Sequence, residues 1–208
     1  MSSYIEGQTN QLLNSFEKAG FTPADLTMMG QSQEILTSIL GVLHGTHEIV
    51  VRSLPLFLTC EVGGKSRDEL IAELDANNMF VSDWAKVIMS QPAWTPGKKE
   101  TVKFGRATMK ELGFTHNPTW QELLDRIEKL GHEKCQPQDG PAIRLALKDQ
   151  PVDDWFWCAM NLITDSDGDP DAFSVRRRGD GRRWLRTLWF NPANHLDLDG
   201  VVVFRLRK

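Results

Sequence analysis

The sequence predicts an α+β protein: a helical N-terminal half, then a mostly antiparallel sheet of about five strands with one or two helices packed on it. Three observations predict this. Apolar residues recur at helical spacing between Leu12 and Leu43. The pairs Ser66/Glu69 and Thr119/Glu122 have the spacing of capping boxes, in which each side chain satisfies the other's free amide. From Ile143 to Lys208, β-branched and aromatic runs alternate with short turns rich in Asp, Gly, Pro and Asn.

In chain order, Leu12, Leu13 and Phe16 share a face of a first helix that ends near Gly20. Thr22-Pro23 starts a short second helix, since Thr caps and Pro suits the first helical position; Gly30 closes it. A third runs from Ser32 to Leu43, with Ile35, Leu36, Ile39, Leu40 and Leu43 on one stripe that is expected to be core. Ile49–Val62 reads as a strand interrupted by Pro55, and Gly63-Gly64 turns the chain. The Ser66 cap opens a helix with Leu70, Ile71 and Leu74 inward, ended by Asn77-Asn78. Ser82 caps another, carrying Trp84 and Ile88 and stopped by Pro92. Trp94–Lys99, with Pro96 and Gly97, reads as a linker between a helical region, 1–93, and an α+β domain, 98–208.

Glu100–Ala107 reads as a strand, and the Thr119 helix buries Trp120, Leu123, Leu124, Ile127 and Leu130 before Gly131. Five strands follow: Ile143–Leu147, Trp155–Ile163, Ala172–Val175, Trp184–Phe190 and Val201–Leu206. Trp155–Ile163 is apolar on both faces and is expected at the centre of the sheet, where each buried aromatic contributes roughly 1.5–3 kcal/mol.

The chain of 208 residues is 40% hydrophobic and 25% charged, as a globular protein is. Its net charge of −4 argues against nucleic acid bound over the whole surface and leaves room for a local basic patch. Cys60, Cys135 and Cys158 form no C-x-x-C, which points to reduced thiols in a cytoplasmic setting rather than to a disulfide or zinc framework. Residues 1–10 have no signal-peptide pattern, and no apolar run is long enough for a membrane span.

Several motifs imitate chemistry. Gly63-Gly64-Lys65-Ser66 resembles the end of a P-loop, but Thr59 stands where the first glycine is needed, so a helix-capping turn is the better reading. His44 and His47, with Glu48, could share a metal, but Gly45 separates them and no third ligand is apparent. Asp165, Asp167 and Asp169 repeat like the start of a calcium loop, but Gly168 and Arg176 stand at the wrong places for one; a hairpin tip is favoured, with at most a weak divalent-cation site and no other cofactor. No Ser-His-Asp set is supported around His116, His132 and His195.

The distinctive surface is basic. Arg176, Arg177, Arg178, Arg182, Arg183 and Arg186 crowd one hairpin with Trp184 and Trp189, with Arg205, Arg207 and Lys208 on a later strand. Arginine beside aromatic rings suits either single-stranded nucleic acid or a protein partner. The expected function is therefore that of a non-enzymatic binding or regulatory protein using this hairpin. The alternatives are a metal-dependent hydrolase or nuclease built on Asp165, Asp167 and Asp169, and an adaptor using apolar N-terminal helices.

The segments Phe80–Ala85, Glu111–Phe114, Gly140-Pro141 with Arg144-Leu145, Lys148–Pro151, Ala159-Met160, Ile163–Asp169 and Val203–Lys208 together resemble a group of small uncharacterised bacterial proteins. That resemblance spans residues 80–208, with a looser echo over Phe21–Val50. It implies a bacterial source and a fixed module around the Asp-rich turn, and it implies no activity, catalytic residue or ligand.

Overall fold

The computed structural model describes residues 6–46, 54–190 and 194–207. The chain forms two compact units that divide between Ser53 and Leu54.

In the first unit, α1 spans Glu6–Lys18, α2 Pro23–Gln31 and α3 Gln33–Leu43. Thr22 and Asp25 form a capping box at the start of α2, and the Ser32 hydroxyl accepts from the Ile35 amide at the start of α3. The α3 stripe is not core. Ile35, Leu36, Ile39, Leu40 and Leu43 are all exposed, Leu43 by 75%, and only Gly41 of that helix is buried. The helical period is correct, but α2 is too short a partner to cover the stripe.

Among its described residues, the second unit holds one eight-stranded mixed sheet and four helices. Its elements are β1 (Leu56–Val62), α4 (Arg67–Ala76), β2 (Met79–Val81), α5 (Asp83–Ile88), β3 (Glu100–Thr108) and α6 (Trp120–Lys129), then α7 (Asp139–Ala146), β4 (Trp155–Cys158), β5 (Ile163–Thr164), β6 (Pro170–Arg177), β7 (Arg183–Trp189) and β8 (Val201–Arg205). The strand order is β1-β3-β8-β4-β6-β7-β2, with β5 paired to β6. β4–β8 and β2–β7 are parallel and the other pairs antiparallel. The expected five strands become eight. β1 and β3 were already separate expectations, β5 breaks away from the Trp155 run, and the three-residue β2 is too short to give a period.

Helix starts follow the sequence closely. Ser66/Glu69 and Thr119/Glu122 are complete capping boxes, and Ser82 caps α5. On α6, Trp120, Leu123, Leu124 and Ile127 are buried, the i, i+3, i+4, i+7 set of one helical face. β4 sits at the middle of the strand order with Phe156, Trp157 and Cys158 buried, as its two apolar faces require.

Ile143–Leu147 is not a strand. Its residues up to Ala146 belong to α7, which Leu147 caps and whose residues from Asp139 to Arg144 are all buried. A helix segment buried through six successive residues has no wet face there, so the 3.6 period is hidden and a chance alternation remains. Gly140 and Pro141, which look like a breaker, start this helix. A Cβ on Gly140 would stand 2.7 Å from the Phe173 ring, so glycine allows α7 to lie close to the sheet.

α7 touches β1 at one end of the sheet, β6 and β7 near the other, and also α4. The sheet is therefore curled around α7. Trp94–Lys99 lies within this unit. The Trp94 indole is buried and donates to Pro137 O at 3.1 Å, and β1 pairs with β3 across the segment.

Inside the curl, Arg205 of β8 donates to both carboxylate oxygens of Asp139, each at 2.7 Å, and to Glu100 at 2.8 Å. Asp139 also accepts the Gln136 amide at 2.7 Å. Burial pushes the Asp139 carboxyl up, and Arg205 pulls it back. Burial likewise opposes the charge on Arg205, but its bonds to Asp139 and Glu100 prevail and hold the guanidinium protonated.

Candidate functional site

The β6–β7 hairpin is fixed by its tip, where Asp180 Oδ1 accepts the Arg182 amide at 3.0 Å and Gly181 adopts φ +79°. The register pairs Arg176 with Trp184 and Arg177 with Arg183. Side chains alternate along a strand, so the arginines divide between two faces.

Arg177 and Arg183 turn toward α7 and the end of α4. Arg177 donates to Gln150 O at 2.7 Å and Arg183 to Asn77 O at 3.0 Å. Both stand near Arg144 on α7, whose pKa falls to about 10, first through burial and then through Arg183 and Arg177. Arg144 is held by Gln150 Oε1 at 2.5 Å and by Leu147 O. These three arginines tie main-chain ends together inside the curl.

Arg176, Arg178, Arg182, Trp184 and Arg186 take the opposite face. There Trp155, Arg176, Trp184 and Phe80 are direct neighbours on β4, β6, β7 and β2. At about 4.8 Å per strand, this row is about 14 Å across. Phe80 and Trp184 stack, with centroids 5.0 Å apart and planes 25° apart, and the Arg182 guanidinium lies 5.4 Å above the Phe80 ring. Phe80 is 41% exposed and Trp155 39%. Trp155 also meets the buried Trp157 edge-on at 4.7 Å. Arg178, Arg182 and Arg186 are exposed, and Asp180, 3.7 Å from Arg182, is the carboxylate paired with this group among the described residues.

Arg205 and Arg207 do not join this surface: Arg205 is taken by Asp139, and Arg207 pairs with Glu133 at 2.8 Å. Phe80 and Trp155 escape a sequence reading because each comes from a separate segment. A period-2 count outward from the Gly181 turn would have separated Arg177 and Arg183 from the other arginines.

The Asp-rich turn joins β5 to β6. Asp165 Oδ1 accepts the amides of Asp167 at 2.8 Å and Asp169 at 3.0 Å, so it shapes the turn, while Asp167 and Asp169 point into solvent. Among the described residues, no three His, Cys, Asp or Glu side chains are arranged to hold a metal. His44 caps the end of α3, and His47 and Glu48 lie outside the described residues. Lys65 of the glycine-rich turn pairs with Glu73, and Ser66 caps α4.

Asp171 is buried beside this turn, and its carboxyl is raised from 3.8 to about 6, by burial first and then by Asp165. The folded chain binds this proton more tightly than the unfolded chain does. The associated stability is thus complete below pH 3.8 and is lost as pH rises toward 6. Asp171→Asn is expected to be about 2 kcal/mol more stable than the parent at pH 7.5 and nearly equal to it at pH 4, by urea unfolding. An equal difference at both pH values would contradict this assignment.

No family model, curated protein or solved structure matches this chain. Among the described residues, no helix is long and apolar enough to cross a membrane.

Proposed function

We propose that this protein is a non-enzymatic binding protein that holds single-stranded nucleic acid on the Arg/Trp row at the β4–β6–β7–β2 end of its sheet. The observation that carries this reading is the row Trp155–Arg176–Trp184–Phe80, flanked by Arg178, Arg182 and Arg186. Each base offers a flat face that stacks on an exposed ring, at about 1–3 kcal/mol per base, while guanidinium groups follow the phosphates. A single strand can splay its bases over a four-strand surface; a duplex keeps them stacked inside. The acidic remainder of the chain confines the attraction to this patch, since the net charge of the whole protein is −4.

The test is fluorescence anisotropy with a labelled oligothymidylate and with the matching duplex, over a salt series. With four arginines engaged, the slope of log K against log salt is expected near −3, from about −0.7 per neutralised phosphate. The Arg176→Glu/Arg182→Glu variant should lose this binding. Salt-insensitive binding, or equal affinity for the duplex, would overturn the proposal and leave the face to a protein partner.

A further inference from the structure

The curl of the sheet leaves a seam far from the Arg/Trp row in strand order. β1 ends the sheet, and on its side away from β3 it bonds to no other main chain among the described residues. Beside it is a cavity of about 540 Å³, lined by Cys60 and Glu61 of β1, Leu70 of α4, and Ala142, Leu145 and Ala146 of α7. No residue of β3 lines it. The space is therefore a groove between a strand edge and α4, with α7 as an apolar floor.

Its charged lining is three lysines and two glutamates, a balance of one positive charge. Lys65 is paired with Glu73, and Lys99 with Glu61 at 3.2 Å. Lys148, also on the rim, pairs with no carboxylate among the described residues. At the floor, burial pushes the Cys60 thiol up to about 12, so at neutral pH it is an apolar surface and not a nucleophile.

A free strand edge presents amides and carbonyls at a two-residue repeat, and only another extended chain matches that repeat. Small side chains on α7 leave room for the alternate side chains of such a chain, and unpaired Lys148 calls for an anion. We propose that this seam binds an extended acidic peptide of a partner protein, which adds to β1 as a further strand. Its apolar side chains lie over Leu145 and Ala146, and its carboxylate meets Lys148.

The test is hydrogen exchange by mass spectrometry on the full chain. The probe is a millimolar pool of hexapeptides with Val or Ile at alternate positions, mixed residues between them, and a C-terminal Asp. Exchange across Leu56–Val62 should slow at least about fivefold, the order expected of newly bonded edge amides. Pools N-methylated at odd or at even positions separate edge pairing from simple stickiness, because a strand adds through one edge: at least one of the two should lose the protection. Ala146→Trp, which fills the groove from an exposed position, should abolish it, and Lys148→Glu should weaken it. Trp184→Ala should leave it unchanged, which keeps this proposal separate from the nucleic-acid surface. No slowing with the parent protein overturns the proposal. So does slowing that survives both methylated pools, or that persists in Ala146→Trp.

Discussion

Asp139→Ala is expected to destabilise the Leu54–Lys208 unit by about 3–5 kcal/mol, the cost of leaving one member of a buried ion pair alone. Arg205 would keep only Glu100, which is half exposed, and the Gln136 amide would lose its acceptor. The unfolding midpoint should fall by about 6–20 °C, at about 2–4 °C per kcal/mol for a unit of this size. All seven tryptophans lie from Trp84 onward, so tryptophan fluorescence follows this unit without interference from the first. The Asp139→Ala/Arg205→Met double variant should recover a large part of the loss, because it removes the stranded charge. A single-variant effect below about 1 kcal/mol would mean that water reaches the pair and that the pair is structurally minor.

Trp184→Ala is the second large effect. The ring stacks on Phe80 and neighbours Arg176, so its loss removes one stacking surface and loosens another. Oligothymidylate affinity should drop by about 10–100-fold, from 1–3 kcal/mol of stacking per base. The salt slope should stay near the parent value, because no phosphate contact is removed. Trp184→Phe should recover most of the affinity. An unchanged affinity in Trp184→Ala would show that the rings do not meet the bases and would confine any binding to arginine and phosphate.

Local rules made some parts of this fold legible and hid others. Capping pairs exposed α4 and α6 because Ser66/Glu69 and Thr119/Glu122 act within one turn, whatever packs around them. The Trp155–Cys158 run revealed a central strand because only a strand covered on both faces tolerates apolar residues on both. α7 was hidden for a different reason: buried without a break from Asp139 to Arg144, it has no wet side there to set a period. On α3 the period was visible and the burial was not, because an amphipathic stripe does not say what, if anything, covers it. The candidate site was half legible. The cluster of Arg and Trp is plain in the sequence, but the split between Arg176 and Arg177 depends on register, and Phe80 and Trp155 arrive through tertiary pairing.

The position of β8 has a consequence for how the chain acquires its shape. It is the last strand in chain order, yet it lies between β3 and β4, pairing antiparallel with one and parallel with the other. Until Val201–Arg205 arrives, β1–β3 and β4–β6–β7 are two separate ribbons, with Asp139 facing a place where its guanidinium partner is missing. β3 and β4 are thus joined through a later strand, by contacts that close long stretches of chain. Such closure is slow, and it leaves two open edges unprotected while it is pending. Among the described strands, β8 follows in chain order both strands that it joins, so the link between the two ribbons waits for it.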